Sequence, residues 1–127
     1  MKNSLLLLFC IIAFTACGQS TSNRTVLGLK QAKAELSEAL NGKDIHNVVD
    51  NKSPIIKDSL TAVAVAEPIL FGFYGKQNIT KQKPYEVYHI DNYWVLSGTL
   101  PEEYIGGTFV IIIDDRNSEV IRITHYK

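Results

Sequence analysis

Three titratable side chains in largely apolar surroundings are the candidates for chemistry. Glu67 is the only charge in the run from Ser59 to Gly75, and His89 and His125 each come near the end of a segment with strand-like alternation. A carboxylate or an imidazole removed from water can serve as a general acid or base. If Glu67 is buried, desolvation raises its pKa; if it lies on the outer side of a helix, it is a solvated charge. We expect the solvated position.

The two histidines are not expected to act as a pair. In a sheet whose strands follow chain order, they lie three strand spacings apart, which is about 14 Å. Ligands of one metal ion lie about 2 Å from it, so the two rings cannot share a metal. The sequence contains no glycine-rich phosphate loop, nucleophile elbow or His-Glu zinc helix. We expect no catalytic residue, no metal and no cofactor; the alternative is a pocket formed by Glu67, His89, Trp94 and His125.

The N-terminus has the order of a secretory signal. Lys2 precedes an apolar run from Leu5 to Phe14, which is shorter than the stretch of about 20 residues that crosses a bilayer. The segment FTAC, ending at Cys17, resembles a bacterial lipobox, which implies cleavage before Cys17 and a diacylglycerol on its sulfur. Gly18, where an Asp would retain the protein, implies the outer membrane, facing the periplasm. Ordinary secretion is the alternative.

The residues after the signal suffice for one domain. We predict a signal peptide over 1–16, a lipidated cysteine and flexible tether over 17–28, and a single α+β domain over 29–127. Cys10 is removed with the signal, so the folded part has no thiol for a disulfide. The net charge of +0 argues against a general attraction to nucleic acid.

Two helices are predicted before the strands. The first, Leu29 to Leu40, is amphipathic and stops at Asn41-Gly42. The second, Ser59 to Gly75, is apolar on nearly every side, begins at a cap on Asp58 or Ser59, and should be kinked at Pro68. A helix of this kind is enclosed on most sides, so we expect it to lie between the first helix and a sheet.

Four strands are predicted to follow as an antiparallel meander. They are Pro84 to Ile90, Tyr93 to Leu100, Gly107 to Ile113 and Val120 to Tyr126. Asp91-Asn92 favours a tight hairpin turn between the first two strands. The register of the last hairpin stays open, because the length of its loop is not fixed by the sequence. Two helices packed on a curved four-stranded antiparallel sheet make an α+β fold.

The turn at Asp91-Asn92 also predicts which residues of the first hairpin share a face. Opposed residues lie on the same face, and His89 falls opposite Trp94. One face carries Val87, His89, Trp94, Leu96 and Leu100, and the other carries Tyr88, Ile90, Tyr93 and Val95.

Residues 58–127 contain a set of motifs that together have a family pattern. They are Ala66-Glu67, Tyr74-Gly75, Lys83-Pro84-Tyr85, Trp94, Gly98-Thr99-Leu100-Pro101, Gly106-Gly107, and His125 before Lys127. This part of the chain resembles the small immunity proteins of the nuclear-transport-factor-like cone fold, also described as cystatin-like, from bacterial polymorphic toxin systems. The resemblance implies a non-enzymatic role, the binding and neutralising of a cognate toxin. The lipoprotein signal departs from the family, since many such proteins are cytoplasmic.

Aromatic residues suggest where a partner binds. All 6 tyrosines and the single tryptophan lie from Tyr74 onward, and these residue types carry much of the energy of protein interfaces. The alternative is that the N-terminal helix covers the aromatic face. The candidates for partner binding are Tyr88, Tyr93, Val95, Glu102, Glu103 and Tyr104.

Three functions therefore remain open. The leading one is toxin neutralisation by direct protein binding. The second is a small-ligand-binding or isomerase-like enzyme that uses the interior of the cone, and the third is a structural or inhibitory envelope lipoprotein with another partner.

Overall fold

The structure, a computed structural model, describes residues 24–42 and 46–127. The predicted signal peptide over 1–16 and Cys17 lie outside the described residues. The chain divides into two units, one ending at Ile45 and one from His46 to Lys127. Within the two described ranges, no helix is both long and apolar enough to span a membrane.

Helix α1, Gly28–Leu40, belongs to the first unit. The N–H of Asn41 donates to the carbonyls of Ser37 and Glu38, and Gly42 has a φ of 60°, a left-handed conformation that favours glycine. The predicted stop at Asn41-Gly42 is confirmed. That α1 covers the second helix stays a prediction.

Helix α2, Ser59–Tyr74, opens on an N-cap at Asp58. The Asp58 Oδ1 accepts a hydrogen bond of 2.8 Å from the Thr61 N–H, which lowers the pKa of the Asp58 carboxyl. Pro68 lies inside the helix, which continues to Tyr74 and ends at Gly75, where φ is 81°. Both predicted ends of the helix are confirmed.

A short helix that was not predicted, α3, follows directly at Lys76–Thr80. Its five residues contain one large apolar side chain, Ile79, which is fully buried. An apolar period needs two or more turns to show in a sequence, so a helix of five residues leaves no periodic pattern to predict it.

The four strands form one antiparallel sheet in chain order, as predicted. They are β1 (Glu86–Ile90), β2 (Tyr93–Ser97), β3 (Phe109–Asp114) and β4 (Val120–His125). The α+β fold, with helices and a four-stranded antiparallel sheet, is therefore confirmed.

The predicted register of the β1–β2 hairpin is also confirmed. His89 pairs with Trp94 and Tyr88 with Val95, and Asp91 takes the left-handed conformation of a tight turn, with a φ of 53°. β2 stops earlier than predicted, at Ser97. The reason is that the Thr99 N–H turns away from the sheet and donates to the Gln82 carbonyl at 2.8 Å.

The β3–β4 pairing contains an irregularity within β3, away from the glycine pair Gly106-Gly107 that precedes the strand. The register shifts between Ile112 and Ile113. Gly107 precedes β3 and has another role: a Cβ there would lie 1.4 Å from the carbonyl oxygen of Tyr126. Glycine at 107 lets the two backbones approach closely.

The core lies between α2 and one face of the sheet. The face predicted from the first hairpin is buried at Trp94 and Leu96, and Val87 packs against the same cluster. The buried apolar residues are Ile56, Ala62, Ala66, Leu70, Ile79, Trp94, Leu96, Phe109, Ile111 and Ile113. The other face of the sheet, called here the outer face, carries the second set of residues.

Candidate binding surface of the sheet

The outer face presents aromatic and aliphatic side chains in a register set by the strand pairing. Tyr88 on β1 pairs with Val95 on β2, which pairs with Ile112 on β3, which pairs with Arg122 on β4. Tyr88 is 53% exposed and Val95 is half-buried. Side chains of this kind bury a large area at low entropic cost when a partner covers them.

Two polar clusters hold the tyrosines of the outer face in place. The Tyr88 hydroxyl donates to Glu86 at 3.0 Å, and Glu86 also accepts from the Ser97 hydroxyl at 3.2 Å. The acceptor raises the pKa of the Tyr88 hydroxyl, because ionised Glu86 favours the protonated phenol. A side chain fixed in one rotamer loses less entropy when a partner binds.

Tyr93 is held from above by an arginine. The Arg116 guanidinium lies 5.8 Å from the centre of the Tyr93 ring. Arg116 also donates twice to Asp114, at 2.9 and 2.6 Å, and this pair holds the pKa of the Asp114 carboxyl below its usual range.

The remaining partner candidates lie on the loop after β2. The Tyr104 N–H donates to the Pro101 carbonyl at 2.9 Å and closes a turn that exposes Glu102 and Glu103. Tyr104 itself is 69% exposed. The six predicted residues thus divide into two groups: Tyr88, Tyr93 and Val95 on the outer face, and Glu102, Glu103 and Tyr104 on the loop.

Glu67 fits neither interpretation drawn from the sequence. Its Oε1 lies 2.7 Å from the Lys83 Nζ and accepts a 3.0 Å hydrogen bond from the Tyr85 hydroxyl, with 22% of the side chain exposed. Lys83 and Tyr85 lower the pKa of the Glu67 carboxyl. The Tyr85 hydroxyl has a raised pKa, through burial first and then through Glu67. A carboxylate stabilised in its ionised form is not the general acid that burial would have produced.

His89 and Trp94 meet at one corner of the sheet, called here the closed corner, with Asp115 as a third member. The two rings are 4.5 Å apart, and the His89 Nε2 lies 2.7 Å from the Asp115 Oδ2. The Trp94 Nε1–H donates to the Ile56 carbonyl, and the Asp115 carbonyl accepts from the N–H groups of Ile55 and Ile56. These contacts attach residues 55–56 to the end of the sheet.

Asp115 is the residue of this corner that the sequence did not indicate. Its side chain is 3% exposed, and Oδ1 is buried without a hydrogen-bond partner among the described residues. Asp115 lies 26 residues from His89, and no local pattern connects the two. The pairing of β2 with β3, for which the sequence predicts no register, brings them together.

His125 lies at the opposite corner, called here the open corner, with Tyr74 and Gln82. The His125 ring packs on Tyr74 at 5.3 Å between centres, and its Nε2 lies 3.4 Å from the Gln82 Nε2. The His125 Nδ1 lies 2.8 Å from the Tyr126 carbonyl. In the neutral ring, Nδ1 therefore carries the proton and Nε2 accepts from the Gln82 amide.

Gln82 is a second buried polar residue that the sequence did not indicate. It is 2% exposed, its Oε1 accepts from the Phe109 N–H at 3.0 Å, and its Nε2 donates to the Asn78 carbonyl. Gly98 makes room for it, since a Cβ there would lie 2.2 Å from the Gln82 Oε1. Within the polar run from Lys76 to Lys83, nothing marks Gln82 as buried.

The open corner faces a cleft of about 550 Å³. The cleft lies between the end of α2, helix α3, the loop after β2 and the end of β4, and Lys81 and Tyr104 contribute to its walls. The structure does not bring the four pocket candidates together. His89 and Trp94 are in the closed corner, His125 is in the open corner, and Glu67 lies with Lys83 and Tyr85.

Comparisons with known proteins agree with this architecture. Residues 61–127 match the family described as NTF2 fold immunity protein. Two proteins of Escherichia coli strain K12 are similar: the uncharacterized protein YhhH, 30% identical over 74 residues, and the uncharacterized protein YbbC, 33% identical over 73 residues.

The alignments cover 58% of this chain and 58% of YhhH, and 57% of this chain and 60% of YbbC. The chain thus spans somewhat over half the length of these curated relatives. No solved structure matches. The matched residues include most of α2 and all of α3 and the four strands, so the chain belongs to the family of NTF2 fold immunity proteins.

Proposed function

We propose that the protein is a non-enzymatic immunity protein that neutralises a cognate toxin by binding it directly. The observation that carries the proposal is the outer face of the sheet, where Tyr88 is positioned by a hydrogen bond and Tyr93 by a cation–π contact, and where Tyr88 is 53% exposed beside Val95. Family membership supports the same function.

The packing of the sheet favours binding over turnover. The core face is filled by large apolar side chains, among them Trp94, Phe109 and Ile111, each at most 8% exposed. An isomerase-like enzyme of the cone fold would need a cavity holding a perturbed carboxylate. Glu67, the carboxylate expected in that role, is ion-paired with Lys83 outside the cleft.

We further propose that Cys17 carries a lipid that anchors the protein in the outer membrane, facing the periplasm. The support is the sequence alone: an apolar run followed by FTAC and Gly18. Labelled palmitate should be incorporated into the full chain and lost on Cys17→Ser. Equal labelling of the two proteins would contradict the anchor.

The binding proposal is tested in two steps, of which the first identifies the partner and its effect on cells. The tagged protein is used to capture its partner from its own cells, and the partner is expressed with and without the immunity protein to measure cell survival. We expect a stoichiometric complex and survival only in the presence of the immunity protein. A harmless partner, or a small molecule in place of a protein, would contradict the proposal.

The second step locates the surface. Tyr88→Ala removes a central side chain of the outer face and should weaken binding about 30-fold or more, as expected for an interface hot spot. The matched control is Phe73→Ala, an aromatic that is 69% exposed on α2, in the helix layer on the other side of the sheet. Calorimetric titration should show unchanged affinity for the control. An equal loss in both variants would contradict the assignment of the outer face.

A further inference from the structure

The cleft at the open corner differs from the outer face in its chemistry. Its lining contains the cations Lys81 and Lys127 and the phenol rings of Tyr74 and Tyr104. No Asp or Glu side chain is among the described residues that line it. Among the described residues, neither lysine makes an ion pair, and neither phenol hydroxyl has a hydrogen-bond partner. Lys81 is the cation on which the inference rests.

The apolar part of the cleft is exposed as well. Leu100 and Ile105 line it beside Tyr104, and Ile105 is fully exposed to solvent. A ligand that filled the cleft would therefore meet hydrogen-bond donors, a cation and aliphatic surface. A carboxylate on a short apolar stem has this combination, and the side chain of glutamate is the form in which a protein carries it.

The loop that forms one wall of the cleft carries charges that limit which ligands can approach. Glu102 and Glu103 are exposed on the loop that forms one wall, but they do not line the cleft. Two exposed carboxylates on this loop repel a run of acidic residues, because like charges disfavour association. The fit is for a single acidic side chain with apolar neighbours.

We propose that the cleft at the open corner binds one acidic side chain, flanked by apolar residues, from the toxin that the outer face binds. This inference rests on the proposed function, and it adds a second, charge-selective contact to the aromatic one. Lys81 holds the carboxylate, the hydroxyls of Tyr74 and Tyr104 donate to it, and Leu100 and Ile105 cover the flanking side chains.

The cleft is tested first with a probe that does not depend on the toxin. The peptide acetyl-Leu-Glu-Leu-amide is titrated into the isotope-labelled protein, with acetyl-Leu-Gln-Leu-amide as the matched control, and the amide resonances of Gly106, Gly107 and His125 are followed. We expect saturable shifts with the glutamate peptide, at least about tenfold weaker binding of the glutamine peptide, and loss of the shifts on Lys81→Gln. Equal binding of both peptides, no shift with either, or equal binding of inorganic phosphate would overturn the proposal.

The contact is then measured in the complex. Lys81→Gln should weaken binding of the captured toxin about tenfold at low salt and less at high salt, because the ion pair is screened. Lys76→Gln is the matched control, since Lys76 lies on the neighbouring short helix but does not line the cleft.

The two hypotheses fail in different ways. If Tyr88→Ala weakens toxin binding and Lys81→Gln does not, the cleft proposal is wrong and the proposed function stands. If the glutamate peptide binds and no toxin does, the proposed function is wrong and the preference of the cleft for an acidic side chain stands.

Discussion

The two histidines on the core face of the sheet lie at opposite corners and are held by different chemistry. His89 pairs with a buried carboxylate, Asp115, and stacks on Trp94. His125 pairs with a buried amide, Gln82, and stacks on Tyr74. The closed corner attaches residues 55–56, which precede α2, to the end of the sheet, whereas the open corner faces a cleft. The first histidine supports the fold, and the second borders the cleft that we propose as a contact for the toxin.

The largest expected effect comes from breaking the closed corner. His89→Ala leaves the Asp115 carboxylate, which is 3% exposed, without its partner. Because His89 is itself 43% exposed, water replaces part of the interaction, and we expect a loss of about 1–3 kcal/mol in the free energy of unfolding. The measurement is urea denaturation at neutral pH.

The matched variant for this experiment is His125→Ala. Gln82 then keeps its bonds to Phe109 and Asn78, so the loss should stay below about 1 kcal/mol. Equal losses at the two corners would show that the distinction between them is wrong. A second check is His89→Ala combined with Asp115→Asn, which should recover part of the stability because an amide costs less to bury than a charge.

The smallest expected effect concerns the ion pair between Lys83 and Glu67, which belongs to neither corner. The pKa of the Glu67 carboxyl is lower in the folded protein than its usual value, so ionised Glu67 stabilises the fold at neutral pH. This contribution should be complete above about pH 4.3, the unperturbed pKa of glutamate, and should disappear as the pH falls through the lowered pKa of the folded state.

Glu67→Gln tests this pH dependence. Its stability deficit should be below about 1 kcal/mol at neutral pH, because 49% of the Lys83 side chain is exposed, and should vanish in acid. Glu119→Gln, at an exposed glutamate without an ion pair among the described residues, is the control for the loss of one charge. A stability deficit for Glu67→Gln that grows as the pH falls would contradict the lowered pKa of this carboxyl.

Local patterns in the sequence were sufficient for much of the fold. The cap at Asp58, the glycine at 75 and the turn at Asp91-Asn92 are short-range signals, and each lies where it was predicted. The turn also fixed the face assignments of the first hairpin, since a two-residue loop leaves one register for its strands.

The contacts that form the two corners could not be predicted from local sequence patterns. Asp115 meets His89, and Gln82 meets His125, across 26 and 43 residues. Both contacts depend on the register of strands joined by longer loops, which the sequence did not determine. The glycine at 98 could not be explained from the sequence either, because the reason for it is the buried Gln82 side chain that lies against it.

The alternation of side chains along the strands separates two requirements on the same segments. On β2, Trp94 and Leu96 pack in the core, while Tyr93 and Val95 face away from it. Substitutions at the outward positions change what a partner meets and leave the packing of the core in place. Under the function proposed above, the toxin-binding surface can therefore change one residue at a time while the fold keeps its stability.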